Sequence, residues 1–414
     1  MKIKLWHKVI IGMVLGVLCG YFFQNTAAVF KPIAMIYTNM VKMIVVPTVF
    51  FAILFGMTNI GDIHTLGRIG LKAAIIYFLA TILAVIIGIF FTHMLSPGTG
   101  VNLVNSCGVD IMGDISKAPK SIIDIITSIV PANPVSAMAS GNTLQIVVFA
   151  FFLGIALTLV GDKANDLKKV ITSATHMIFK LVEIVIKTTP YGVFAIMAWV
   201  VGEYGLSLVL SLGKLVFVIM GAFFLQYLIF GLMLILSKLP ALPFFRKTLD
   251  IQTLAFATSS SKATVVTAIR DLQEKVGVSK PVANFVLPLG SAINMTGSAI
   301  YISACAIFFA QAVGIHLTFT QYAVLIITST IGSVGAAGYP GGAVIMLGMV
   351  LPAVGLPVEG LPLILGIDRF VDMFRTVINV TGDCVITVIV DKFNHSLDID
   401  RYNSACAKQE IRIQ

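Results

Sequence analysis

The stretch I-D-R-F-V-D-M-F-R-T-V-I-N-V-T-G-D, Ile367 to Asp383, sets three aspartates and two arginines among apolar residues. At about 100° per residue, Asp368, Asp372, Arg375, Thr376, Asn379 and Asp383 fall within an arc of roughly 100° on one helical face. Arg369 and Thr381 lie off that stripe. Each ionised side chain near a bilayer centre costs roughly 2.5–3.5 kcal/mol on insertion scales, so a spanning helix of this kind requires compensation. Internal pairing supplies part of it. The formal sum, 2 − 3 = −1, invites a cation. Asp372 and Arg375, three apart, can neutralise each other and lock helices together, or hold the ammonium and carboxylate of one zwitterionic ligand, since a buried Arg fork suits a carboxylate.

The rest of the chain supplies the membrane setting. Of 414 residues, 58% are hydrophobic and 11% charged, against roughly 25% charged in soluble proteins. With a mean hydropathy of +0.99 there is too little polar surface to cover a water-soluble globule of this size. The composition excludes a cytosolic enzyme, a disordered protein and a secreted disulfide scaffold, and predicts an all-α polytopic membrane protein. The net charge of +9 fits basic residues gathered in cytoplasmic loops; no basic stripe with interleaved aromatics points to nucleic acid. Cys19, Cys107, Cys305, Cys384 and Cys406 are scattered without C-x-x-C spacing, which predicts neither metal nor disulfides.

Lys2, Lys4 and Lys8 precede an apolar run from Val9 to Phe23 that lacks a small-x-small cleavage site, so it reads as a retained first span. Further runs cover Met43–Met57, Ala73–Met94, Leu144–Val160, Val170–Trp199, Val209–Leu236 and Val282–Ala310. About 20 residues cross a ~30 Å core, so the longest must tilt, break or extend; Pro190 and Pro288 mark the expected breaks. With the N-terminus in the cytoplasm, predicted inner loops carry Arg68, Lys72, Lys163, Lys168, Lys169, Lys238, Arg246, Lys247, Arg270, Lys275 and Lys280. Outer segments hold Lys31, Lys42, Lys117 and Lys120. The asymmetry supports the orientation.

Two segments do not read as simple spans. Leu249 to Thr267 is interrupted by T-S-S-S-K, Thr258 to Lys262, with basic residues on both sides, as in a re-entrant hairpin. Ala323 to Val354 is broken by G-A-A-G-Y-P-G-G, Gly335 to Gly342, which no continuous helix tolerates; a second hairpin, opening outward, keeps the later spans in register. Two broken segments in corresponding positions point to a transporter's binding site built from half-helix ends. Gly and Ser that merely permit close helix packing are the plainer explanation.

These residues resemble the dicarboxylate/amino acid:cation symporters, the family of bacterial proton/sodium-glutamate and aspartate symporters and of the animal excitatory amino acid transporters. The likeness runs from K-M-I-V-V-P (Lys42 to Pro47) through T-P-Y-G-V-F (Thr189 to Phe194) to D-M-F-R-T-V-I-N-V-T-G-D, its most specific part. It implies that Asp372 holds the substrate's amino group and Arg375 its side-chain carboxylate, with Thr376, Asn379, Ser298 and Gly341 completing the contacts. Ser259, Ser260 and Ser261 match the first hairpin tip. Asp383, with Gly290, Asn294 and Asn379, resembles one sodium site. Ser333, Val334 and Ala336 in the second hairpin match another, lined by carbonyls. Oxygen-only ligands suit a hard monovalent cation, and half-helix C-termini add negative charge.

Three departures matter. The family's N-M-D-G-T is N-M-T-G-S here, Asn294 to Ser298, so Thr296 replaces the carboxylate of a further cation site whose other ligands match Tyr77 and Thr81. Loss of that carboxylate implies weaker Na⁺ binding, fewer coupling ions or a proton instead. Lys262 follows the serine tip, where its ammonium either stands in for a lost cation or reaches for the cytoplasm. Ala343 takes a position usually glycine.

The resemblance implies eight spans and two re-entrant hairpins in an elevator-type homotrimer, with no cofactor and with Na⁺ or H⁺ as coupling ion. Residues 1–238 are expected to be mostly scaffold, the third and sixth spans joining the transport domain. Residues 239–393 form the transport core: hairpin 240–275, seventh span 281–310, hairpin 320–355 and eighth span 360–391. Residues 394–414 form a cytoplasmic tail, and the location is the bacterial inner membrane with both termini cytoplasmic. The expected substrate is L-glutamate or L-aspartate; neutral amino acids or C4-dicarboxylates are the alternatives within the fold. A passive channel and an intramembrane serine hydrolase, from S-x-x-K at Ser259 to Lys262, are the alternatives outside it. No histidine falls in the recognised motifs; Asp368 and the other stripe carboxylates are the candidate proton carriers.

Overall fold

The computed structural model describes residues 5–58, 63–100, 130–140, 143–335, 342–356, 358 and 361–404. Among them all regular structure is helical, as lipid demands of a chain that must satisfy its own backbone. The helices are α1 (Leu5–Phe22), α2 (Lys31–Thr58), α3 (Ile63–Leu95), α4 (Pro134–Ser140), α5 (Thr143–Val160), α6 (Asn165–Lys187), α7 (Thr189–Tyr204), α8 (Leu206–Leu236) and α9 (Ala241–Lys247). They continue with α10 (Leu249–Thr258), α11 (Ser261–Asp271), α12 (Lys280–Ile293), α13 (Thr296–Ala312), α14 (Phe319–Gly335), α15 (Gly342–Ala353), α16 (Leu361–Phe393) and α17 (Ile399–Asn403).

By length and composition, five stretches are able to cross a membrane: Ile69–Leu95, Val148–Val185, Val209–Leu236, Lys280–Ala312 and Ile364–Phe393. The apolar windows of the last two are 89% buried, against 22% for Val148–Val185. The helix with the most charge is therefore among the most enclosed, and its charges face protein rather than lipid.

Two sets of helices form the body. In one, α2 packs on α5, α6 and α7, and α1 on α7; in the other, α16 is surrounded by α8, α10, α12 and α13, and α3 lies along α13. Close backbone approach explains the α1–α7 pair. Gly12, Gly16 and Gly20 repeat every four residues, and a methyl on each would sit 2.5 Å from the carbonyl oxygens of Pro190, Phe194 and Ala198. Such small-residue stripes let membrane helices touch backbone to backbone.

The break expected at Pro190 falls between α6 and α7, with Pro190 in the first turn of α7. The break expected at Pro288 does not occur there. Helix α12 runs through Pro288 to Ile293, and the chain leaves helical geometry six residues later, at Asn294 (φ −101, ψ 95) and Met295 (φ −120, ψ 56). A proline removes one donor without ending a membrane helix where neighbours re-satisfy the backbone. At 294–295, side chains from α16 fix the non-helical turn.

Helices α10 and α11 form an antiparallel pair around residues 259–260. Ser259 takes the left-handed conformation (φ 50), and the Ser260 hydroxyl caps α11 by accepting from the Ala263 N–H at 3.3 Å. Lys275 closes the base, 2.8 Å from Asp250 and 2.9 Å from Asp271. Helices α14 and α15 pair likewise, with Gln321 donating to the Val354 carbonyl at 2.9 Å; residues 336–341 between them lie outside the described residues. Of the expected tail, 394–404 is docked: Tyr402 is buried and donates to the Pro240 carbonyl at 2.9 Å, while buried Lys247 donates to the Tyr402 carbonyl at 3.0 Å.

Candidate functional site

Helix α16 delivers its polar stripe into the interior. Asp368, Asp372, Arg375, Thr376, Asn379 and Asp383 are all buried. The Arg375 guanidinium donates to Asp368 at 3.0 Å with one nitrogen and to Asp372 with the other. Arg369 adds a second cation, 3.3 Å from the other Asp372 oxygen. Tyr301 of α13 lies against Arg375, its ring centroid 4.7 Å from the guanidinium carbon. The Thr376 hydroxyl is turned back on its own helix, donating to the Asp372 carbonyl at 2.8 Å. Asp368, Arg369, Asp372 and Arg375 sum to zero charge, so the −1 left over in residues 367–383 belongs to Asp383.

Asp383 accepts from the Asn294 amide at 2.8 Å, a neutral donor that leaves its charge uncompensated. Asn379 plays a different part. Its carbonyl oxygen accepts from the Gly297 N–H at 2.8 Å and the Ser298 N–H at 3.3 Å, while its amide nitrogen reaches the Ser298 hydroxyl at 3.4 Å. It therefore caps the N-terminus of α13, satisfying donors that the helix leaves unpaired. Gly297 is required by contact, because a Cβ there would fall 2.5 Å from the Arg375 carbonyl oxygen.

Near this break the Tyr77 hydroxyl and an Asp383 oxygen both crowd Gly290. An added Cβ there would be 2.5 Å from the Tyr77 hydroxyl and 2.8 Å from Asp383. The Tyr77 hydroxyl donates to the Val286 carbonyl at 3.1 Å, and that of Thr81 to the Tyr77 carbonyl at 2.8 Å. The Asn294 side-chain oxygen and the Thr296 hydroxyl are buried without a hydrogen-bond partner. Buried polar atoms are seldom left so, and an all-oxygen set beside one uncompensated carboxylate suits a hard cation. Gly290→Ala tests this crowding. In an ordinary helix interior the change stabilises by about 1 kcal/mol; here it is expected to destabilise by roughly 1–3 kcal/mol, as overpacking does, and to weaken cation dependence. A thermal melt with and without Na⁺ checks both.

Helix α10 meets α16 where Phe256 packs edge-on against Phe374, centroids 5.2 Å apart, which sets the serine tip beside the stripe. Ser259 and Ser261 are buried. In the other pair Ser333 is buried, its hydroxyl donating to the Thr330 carbonyl at 2.8 Å, and Val334 lies in the last turn of α14. Ala336 and Gly341 fall outside the described residues. The sequence reading passed over Tyr301 and Asp391. Asp391 is buried and accepts from Ser279 at 2.6 and 2.8 Å, tying the end of α16 to the start of α12. Asp391 lies about 60° outside the arc of the stripe, so helical spacing did not single it out, and Tyr301, in an apolar run, offered no signal either.

The model of the sodium:dicarboxylate symporter family matches residues 5–393. The chain is 32% identical over 414 residues to the proton/glutamate-aspartate symporter of Bacillus subtilis, spanning 99% of this chain and 100% of that protein. It is 35% identical over 409 residues to the C4-dicarboxylate transport protein of Laribacter hongkongensis, spanning 96% and 91%. To the proton/sodium-glutamate symport protein of Bacillus caldotenax it is 32% identical over 420 residues, spanning 99% and 98%. With the whole helical body matched and the polar stripe at its centre, the chain belongs to the sodium:dicarboxylate symporter family.

Proposed function

We infer that this membrane transporter takes up L-glutamate or L-aspartate together with Na⁺ or H⁺. The observation that carries the reading is the buried Asp368–Arg375–Asp372 bridge next to an uncompensated Asp383. A ligand bearing both charges exchanges partners there at little electrostatic cost: its carboxylate takes the Arg375 fork, and its ammonium takes the Asp372 carboxylate so released. A C4-dicarboxylate, carried according to its name by the Laribacter hongkongensis relative, brings no ammonium and leaves Asp372 facing Arg369 alone.

The architecture that goes with this reading is eight spans and two re-entrant hairpins, α10–α11 and α14–α15, in a trimer of the inner membrane with cytoplasmic termini. The α16 set of helices, with both hairpins, is the moving body, and the α1, α2 and α5–α7 set is its scaffold. Cation binding at Asp383 and at the second hairpin preorganises the tip that closes over substrate, so each ligand raises the other's affinity. Ser259, Ser260, Ser261 and Ser298 line the substrate side, and Tyr77, Thr81 and Thr296 a weakened further cation site.

Uptake of labelled glutamate and aspartate into proteoliposomes tests the reading, with an inward Na⁺ gradient in one arm and an inward H⁺ gradient in the other. Accumulation above equilibrium in either arm is expected, which a channel cannot produce. Na⁺-driven uptake assigns coupling to the Asp383 site as it stands; H⁺-driven uptake assigns it to a protonatable stripe carboxylate. Accumulation in neither arm excludes acidic amino acids as the cargo.

A further inference from the structure

Lys262 is the residue the transport reading leaves without work. It follows the serine tip on α11, and the sequence offers it either a cation's place near the site or an escape to the cytoplasm. The structure gives it another setting. Its Nζ lies 5.4 Å from the ring centroid of Phe55 and 5.4 Å from that of Phe179. Phe55 stands in the last turn of α2 and Phe179 on α6. His176, one turn before Phe179, has its ring centroid 6.0 Å from that of Phe55, so the two rings are fixed by helices that pack on each other.

An ammonium removed from water keeps its charge only where acceptors or aromatic faces replace the lost hydration, and the ring quadrupole supplies part of that. The seat belongs to α2 and α6, whereas Lys262 belongs to the hairpin packed on α16. The contact therefore crosses between the two sets of helices. With the N-terminus in the cytoplasm, the end of α2 that holds Phe55 is its inner end, so the contact forms when the hairpin tip stands on the inner side.

We propose that Lys262 is a positioning residue for translocation, its ammonium latching the first hairpin to Phe55 and Phe179 in the inward position and leaving that seat for the moving body to slide outward. The latch rests on the two-body reading given above. It also accounts for a lysine rather than a small residue beside the serine tip, because a long side chain spans the gap to the scaffold without placing charge among the substrate ligands.

The test is an inter-body distance distribution in the full-length transporter in lipid nanodiscs, with spin labels on ketone-bearing residues at Val170 of α6 and Val266 of α11, both exposed. Wild type is expected to show two populations, one matching the structure. Lys262→Met, Phe55→Leu and Phe179→Leu should each lower that population relative to the other by roughly threefold to thirtyfold, the range of a cation–π contact from exposed to desolvated. Lys262→Met with Phe55→Leu should do no more than Lys262→Met alone, and Lys262→Arg should restore the wild-type ratio. Two populations whose ratio Lys262→Met leaves unchanged, or losses that simply add, overturn the latch while the sliding reading stands. A single distance under all conditions, with substrate and Na⁺ added or withheld, overturns the sliding reading and the latch with it.

Discussion

Arg375→Cys is expected to lower uptake of glutamate and aspartate by at least about a hundredfold, and any uptake of serine or alanine far less. Arg375 is the only cation that bridges Asp368 and Asp372 among the described residues, and truncating one partner of a buried, hydrogen-bonded charge pair costs roughly 2–5 kcal/mol in binding. The fold pays as well. Two buried carboxylates are left without their shared partner, a change of roughly 3–5 kcal/mol in stability, so the melting temperature of the variant should drop. Adding Asp368→Asn to Arg375→Cys removes one of the stranded charges and should recover part of the melting loss without recovering acidic amino acid uptake. That split separates a lost binding group from a collapsed site. Arg375→Lys keeps the charge but not the planar fork; it should hold more of the stability than of the transport. Equal losses for acidic and neutral substrates would remove Arg375 from substrate recognition.

Asp383→Asn carries the second large effect. The substitution keeps an oxygen for the Asn294 amide to donate to, so the helix pairing around the 294–295 break should survive and the melt should move little. The charge does not survive. A unit charge about 4 Å from a cation is worth roughly 4 kcal/mol at an effective dielectric near 20, and half of that is already about thirtyfold in affinity. Gradient-driven accumulation should fall to equilibrium, and cation-dependent substrate binding should weaken by roughly thirtyfold or more, measured by substrate titration at several Na⁺ concentrations and pH values. An unchanged cation dependence would send the coupling site elsewhere, with the carbonyl-rich end of α14 next in line.

The sequence was most informative where a pattern is local. Six polar residues on one face of residues 367–383 follow from helical periodicity alone, and their cost in lipid requires that the face be interior; all six are buried. The interruptions at Ser259–Ser261 and Gly335–Gly342 are equally local, since serine caps and glycine runs end helices wherever they occur. The sodium:dicarboxylate symporter family was legible for the same reason, because its signature is one uninterrupted stretch of α16.

Partners distant in the chain were not legible. Helical spacing places Asp372 and Arg375 together, but the structure makes Arg375 a bridge to Asp368 as well, seats it on Tyr301, and gives Asn379 a capping role at the start of α13 that its own neighbourhood does not specify. Proline chemistry pointed to 288 for the break in the seventh span. Asn379 and Asp383 on α16 moved it to 294, because non-helical backbone persists at membrane depth only where another element pays its hydrogen bonds. Lys262 had two destinations in the sequence and found a third between Phe55 and Phe179, residues that nothing in its own neighbourhood specifies. Composition and periodicity thus determined that the chain is a helical membrane protein with a polar stripe held inside. Packing alone decided which charge faces which, because a buried charge is stabilised by whatever the tertiary structure brings within a few ångströms of it.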